Sequence, residues 1–189
     1  MSRIAIPTLA EAPAETRATL EGVTKRLGWT PNLFRLMALS PNTLTAFVGL
    51  SGTLSRTLDV ATIESMGMVV SEGSGCKYCA QSHIFLGKWL AKLDTAELEL
   101  NRRGGSRDPK RAAAVRFAKA IADTRGKVSD EDLADVRTAG FTDADIVAIA
   151  GLTAQFLFTN FMSNIGQVVL DFPADEMAGN GTALASDRP

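Results

Sequence analysis

Apolar residues recur along this chain three and four positions apart, and strict alternation of apolar and polar residues is never sustained. The first spacing belongs to amphipathic helices and the second to half-buried strands, so the pattern predicts an all-α protein. Helix punctuation agrees. Thr30–Pro31, Ser40–Pro41 and Asp108–Pro109 each set a capping residue before a proline, which has no N–H to leave unpaired at a helix start. Ser129 with Asp132 and Thr142 with Asp145 resemble capping boxes with Asp in the usual Glu position, and Asp59 suits a further cap. Together these predict helices at about 13–27, 31–38, 41–56, 60–72, 76–92, 95–102, 109–125, 130–138 and 143–169.

The paired glycines, charges and proline of 102–110 read as a surface loop within one domain. From 171 onward the periodicity gives way to Gly, Pro and acid. This predicts a single helical domain over 1–170 and a loose tail, or an oligomer arm, over 171–189. The stretch IVAIAGLTAQFLFTNFM at 146–162 carries no charge and is apolar nearly all round, so it must be buried on most faces. A small domain buries such a surface more readily with a second subunit, which favours a homo-oligomer.

Composition narrows the function. The 189 residues suit one domain. Twenty basic against 21 acidic residues leave a net charge of −1, which argues against a nucleic-acid or anionic-membrane partner. No uncharged apolar run reaches the roughly 18 residues of a membrane span. The N-terminal stretch meets Pro and Glu too early for a signal peptide, so a cytoplasmic location is expected. In that compartment a cysteine pair is more often catalytic or metal-binding than a structural disulfide.

Candidate chemistry is concentrated in EGSGCKYCAQSHIFLGKWL, 72–90. It holds both cysteines, Cys76 and Cys79, the only histidine, His83, and the only tyrosine, Tyr78. Gly73 and Gly75 suit a helix-ending turn, which places the Cys-x-x-Cys at the N-terminus of the next helix. At 100° per residue Cys76, Cys79 and His83 fall at about 0°, 300° and 340°, on one face. Residues three apart on a helix are close enough for a disulfide. The partial positive charge of a helix N-terminus favours thiolate over thiol. The one-turn step from Cys79 to His83 sets a base beside a nucleophile. Tyr78 reads as a packing residue.

Glu64 is the fourth candidate. In DVATIESMGMVV, 59–70, it is the only charge after the cap, on a helix whose neighbours suggest burial. A buried carboxyl needs a partner or takes up a proton, and then it can pass one near neutral pH. The plainer alternative is a carboxylate favoured by the helix dipole and facing water. A structural zinc site normally needs four ligands, and the three Cys and His residues fall short unless Glu64 joins them. A thioredoxin-type reading of Cys-x-x-Cys would require a βαβ context, and none is visible.

Glu64, an eleven-residue gap and Cys76-x-x-Cys79-x-x-x-His83 resemble the E-x11-C-x2-C-x3-H signature of the alkylhydroperoxidase D-like proteins, within the carboxymuconolactone decarboxylase superfamily. GWTPNLFRLMALSPNTLTAF, 28–47, and LFTNFMSNIGQVVLDFPA, 157–174, are similar to its peroxidase-related branch. The resemblance implies an antiparallel array of about eight or nine helices assembled into trimers or hexamers. It further implies reduction of hydroperoxides with no metal or organic cofactor. Carried over by position, Cys79 would be the peroxidatic cysteine that becomes a sulfenic acid and Cys76 the resolving one, with His83 and Glu64 as the proton relay. A lipoyl protein or a thioredoxin-like thiol would be the reductant. One departure is Tyr78, where the alkylhydroperoxidase proper has a histidine. Phenol is a poor base at pH 7, so restoring a histidine there is expected to raise turnover if that base limits it. The cysteine pair argues against lactone decarboxylation. Two rival readings use the same residues: a disulfide oxidoreductase acting on a protein partner, and a non-catalytic oligomer that senses redox state.

Overall fold

A computed structural model describes residues 2–172. Among them all regular structure is helical: α1 (Ala14–Leu27), α2 (Asn32–Met37), α3 (Pro41–Leu54), α4 (Val60–Gly73), α5 (Lys77–Trp89), α6 (Thr95–Arg102), α7 (Pro109–Thr124), α8 (Asp130–Thr138) and α9 (Asp143–Gly166). Each answers to a predicted helix. Asp59 and Asp108 cap α4 and α7, and both Ser129–Asp132 and Thr142–Asp145 close reciprocal capping boxes. The cap expected at Thr30 does not form. Its hydroxyl is paired with that of Thr24, and α2 starts one residue later, with its Asn32 N–H held by the Asp171 carboxylate at 2.6 Å. Ser40 precedes α3 without a side-chain cap.

Helix α4 is the axle of the molecule, packed against α5, α6, α7 and α9. Every residue from Thr62 to Ser71 on it is buried. One core gathers Met66, Val69, Val70, Val115, Phe117, Val136, Ile149, Leu152 and Phe156 from α4, α7, α8 and α9. A second joins Leu20, Leu36, Met37, Leu44 and Phe47 of α1–α3 to Cys76, Tyr78 and Cys79 at the start of α5. Burying each large apolar side chain contributes roughly 1.5–3 kcal/mol, so the α4–α5 frame between these cores is strongly held.

Helix α9 is long and apolar enough to cross a membrane by length and composition alone, yet half of its apolar window is buried inside this fold. Burial on most faces was expected. In the single chain Val147, Phe161 and Ile165 stand exposed, on the side turned away from α2, α3, α4, α5 and α7. The expected tail begins at 171, but Asp171 and Phe172 pack against α2 and α5. The rest of that segment, 173–189, lies outside the described residues.

Candidate active site

The turn that carries the first cysteine is built by α4, α9 and one glycine. The Gly75 φ of 61° lies in the left-handed region, where a side chain is costly. It lets the chain reverse so that the Cys76 N–H reaches the Ser71 carbonyl at 3.0 Å. From α9, Asn160 donates to the Val70 carbonyl (3.3 Å) and the Ser74 hydroxyl (3.0 Å), and Asn164 donates to the Ser74 carbonyl (3.0 Å). Cys76 is thereby fixed as the N-cap of α5. Its backbone is extended, and its sulfur accepts the Cys79 N–H at 3.2 Å. A thiol here takes the position usually filled by Ser or Asp, facing N–H groups that have no carbonyl partner.

The two cysteines are buried, unbridged thiols. The thiol of Cys79 beside Cys76 holds the latter down to about 6, against the cost of burial. Ser163, the Cys79 N–H and the nearby His83 act in the same direction. Cys79 is pushed the other way, because its neighbour takes the negative charge and burial disfavours a second one. Ser163 and Thr159 of α9 reach its sulfur and partly offset this. The two thiols are therefore pushed in opposite directions, Cys76 towards thiolate and Cys79 towards thiol. That differs from the assignment of Cys79 as the activated sulfur. The physical reason is that Cys79 sits inside the helix and gives its N–H away.

The other two expected residues meet as a second pair. His83 Nδ1 lies 2.7 Å from Glu64 Oε2, both buried, which excludes the water-facing alternative for Glu64. A carboxylate there fixes a proton on Nδ1 and leaves Nε2 to exchange protons. The ring stands edge-on to Phe156, with centroids 5.2 Å apart, and rests on Gly67, where a Cβ would lie 2.2 Å from His83 Cε1. Among the described residues no hydrogen bond joins the imidazole to either sulfur.

Tyr78 is buried and locked. Its hydroxyl donates to Asp171 Oδ1 at 2.8 Å and accepts the Leu33 N–H at 3.4 Å, while Phe172 lies against its ring at 5.1 Å. Burial and the adjacent Asp171 carboxylate raise the phenol far above its usual range. Tyr78 thus ties the start of α5 to α2 and the C-terminal strand of chain, as a packing residue would.

Gly67, Thr159, Ser163 and Asp171 surround the candidate site, and sequence reasoning passed over them. A signal existed for two of them: Gln155, Thr159 and Ser163 recur every fourth residue, a polar row along a mostly apolar helix. Among the described residues no three His, Cys, Asp or Glu side chains converge as a bound metal would require.

No family model and no curated protein matches the chain. The fold is that of the alkylhydroperoxidase D-like proteins of the carboxymuconolactone decarboxylase superfamily. Solved structures carry that placement. An uncharacterized peroxidase-related protein from Ralstonia eutropha JMP134, described as an alkylhydroperoxidase AhpD core, is 26% identical, with 93% of this chain and 94% of that chain covered at a TM-score of 0.81. An uncharacterized peroxidase-related protein from Silicibacter sp. TM1040 is 24% identical over 93% and 94%, at 0.80. The debrominase Bmp8 shares the fold at 18% identity over 94% and 95%, at 0.77.

Proposed function

We propose that this protein is a thiol-dependent peroxidase that reduces hydroperoxides through the Cys76–Cys79 couple, with Glu64 and His83 as its proton relay. The observation that supports it is a buried dithiol at the N-terminus of α5, one helical turn before a histidine hydrogen-bonded to a buried glutamate. Thiolate attack on a peroxide oxygen gives a sulfenic acid, which condenses with the second thiol and is then reduced by exchange with an external thiol.

Burial favours this reading over a protein-disulfide partner. The cysteines are 1% and 3% exposed, so a small hydroperoxide approaches them more readily than a folded protein does. By the same reasoning the reductant is a slender dithiol such as a lipoyl arm rather than a thioredoxin-like protein. The exposed apolar residues of α9, Phe161 and Ile165 among them, support assembly of several copies.

The test is peroxide consumption with dihydrolipoamide, thioredoxin and glutathione compared as donors. Turnover is expected with dihydrolipoamide, together with at least a tenfold loss in Glu64→Gln, since acid–base groups contribute about 10²–10⁴. Absence of peroxide reduction with every donor, from protein whose thiols titrate as two, overturns the reading.

A further inference from the structure

Cys79 stands inside α5, where the helix itself holds it, but Cys76 lies at the mouth of that helix, at the end of a turn. Resting on the peroxidase reading above, we propose that Asn160 of α9, seconded by Asn164, is the positioning residue that holds Cys76 in place for disulfide closure with Cys79.

The hydrogen bonds form one chain from α9 to the dithiol. Asn160 is fully buried. Its Oδ1 accepts the Ser71 hydroxyl at 3.2 Å, which fixes the orientation of the amide. Its Nδ2 donates to the Val70 carbonyl at 3.3 Å and to the Ser74 hydroxyl at 3.0 Å. One turn further along α9, Asn164 donates to the Ser74 carbonyl at 3.0 Å. Both asparagines thus grip the end of α4, where Ser74 is the C-cap. From there the ties run on. The Ser71 carbonyl accepts the Cys76 N–H at 3.0 Å, and the Cys76 sulfur accepts the Cys79 N–H at 3.2 Å.

Only Gly75 separates Ser74 from Cys76, and its φ of 61° belongs to a residue whose backbone turns freely. A loosened turn would carry Cys76 through many positions unfit for bonding. Two groups held in the right relation react as though one were present at very high concentration, and a small misplacement forfeits much of that gain. Asn160 supplies from another helix the restraint that Gly75 lacks.

The step concerned is the condensation of a sulfenic acid on one cysteine with the thiol of the other. The S–S bond forms, the S–O bond breaks, and the thiol's proton leaves with the hydroxyl group as water. The thiol sulfur is oxidised by one electron and the sulfenic sulfur reduced by one. The role of Asn160 is the same whichever sulfur is oxidised first.

The experiment separates closure from the first oxidation. Full-length reduced protein receives one equivalent of methyl methanethiolsulfonate, which leaves a methylthio group on one sulfur and releases methanesulfinate. Attack by the other thiol then expels methanethiol and leaves the disulfide. Acid quenching and mass spectrometry follow both species with time. The first step reads access to the thiols, and a merely looser protein would speed it without slowing the second. Asn160→Ala should close about tenfold more slowly than wild type, and Asn164→Ala, at an exposed position, about threefold. Val136→Ala, in the core under α8, lowers stability without touching the turn and should close as wild type does. Wild-type closure in Asn160→Ala overturns the proposal. If that variant does not fold, wild-type closure in Asn164→Ala does so instead. Equal slowing in Val136→Ala also overturns it, since general loosening would then account for the loss. Cumene hydroperoxide consumption by the wild type tests the peroxidase reading apart. Peroxide consumed, with unslowed closure in the asparagine variants, removes the role of Asn160 alone. Slowed closure with no peroxide consumed removes the peroxidase reading and leaves Asn160 as a determinant of disulfide formation.

Discussion

A single methyl group at Gly67 is expected to separate activity from stability. The glycine lies in the middle of α4, and the His83 ring rests on its Cα. A Cβ there would stand 2.2, 2.4 and 2.6 Å from His83 Cε1, Nε2 and Nδ1. Ordinary contact begins at 3.4 Å, so the ring must retreat by about 1 Å. It cannot do so freely, because Phe156 stands against it at 5.2 Å and Glu64 holds Nδ1 at 2.7 Å. A displacement of that size breaks the hydrogen bond or its alignment. Loss of a positioned acid–base pair costs about 10²–10⁴ in rate, so Gly67→Ala should lower peroxide reduction about a hundredfold. Overpacking costs about 1–3 kcal/mol, and replacing a helical glycine returns up to about 1 kcal/mol. The net loss is on the order of 1–2 kcal/mol, or a few degrees in Tm. Steady-state reduction of cumene hydroperoxide and thermal unfolding measure the two effects. Gly49→Ala, with open space around its Cβ, is the control and should be as active as wild type. Wild-type turnover in Gly67→Ala would refute the close approach of the ring and its part in the chemistry.

Other expectations follow from the same structure. Tyr78→His should not raise turnover as the missing family histidine suggested. It removes a buried hydroxyl between Asp171 and Leu33, and a loss of about 1–3 kcal/mol in urea unfolding is expected. Improved peroxidase activity at unchanged stability would reverse that conclusion. Glu97, 2% exposed, is pushed up by burial, but Ser106, the N–H and guanidinium of Arg107, and Asn101 hold it at about 2 against an ordinary 4.5. Its folded value is depressed, so its contribution is complete above about pH 4.5 and is lost as pH falls towards 2. That contribution is on the order of 3 kcal/mol, and acid titration of unfolding should show it disappear in Glu97→Gln.

How much was legible follows from the range of each interaction. The helices were readable because caps and apolar spacing act within three or four residues. Asp59, Asp108, Ser129 and Thr142 make the caps their positions promised. Thr30 failed because a stronger acceptor, Asp171, takes the Asn32 N–H from 139 positions along the chain. The site divides in the same way. Cys76 and Cys79 share one turn, so their proximity and their place at a helix start were set by the local chain. Glu64 and His83 are 19 residues apart, and only the packing of α4 on α5 brought Nδ1 to Oε2.

From the sequence alone came the all-helical architecture, the dithiol at a helix mouth and the four candidate residues, because each depends on neighbours along the chain. Tertiary structure alone decided how unequal the surroundings of the two thiols are, why position 67 admits no side chain, and that Tyr78 anchors rather than relays. Those outcomes rest on Ser163, Phe156 and Asp171, which the chain delivers from far away by burying the faces of α9 and its C-terminal extension against α4 and α5. No local pattern encodes a distance that arises only when separate helices exclude water together.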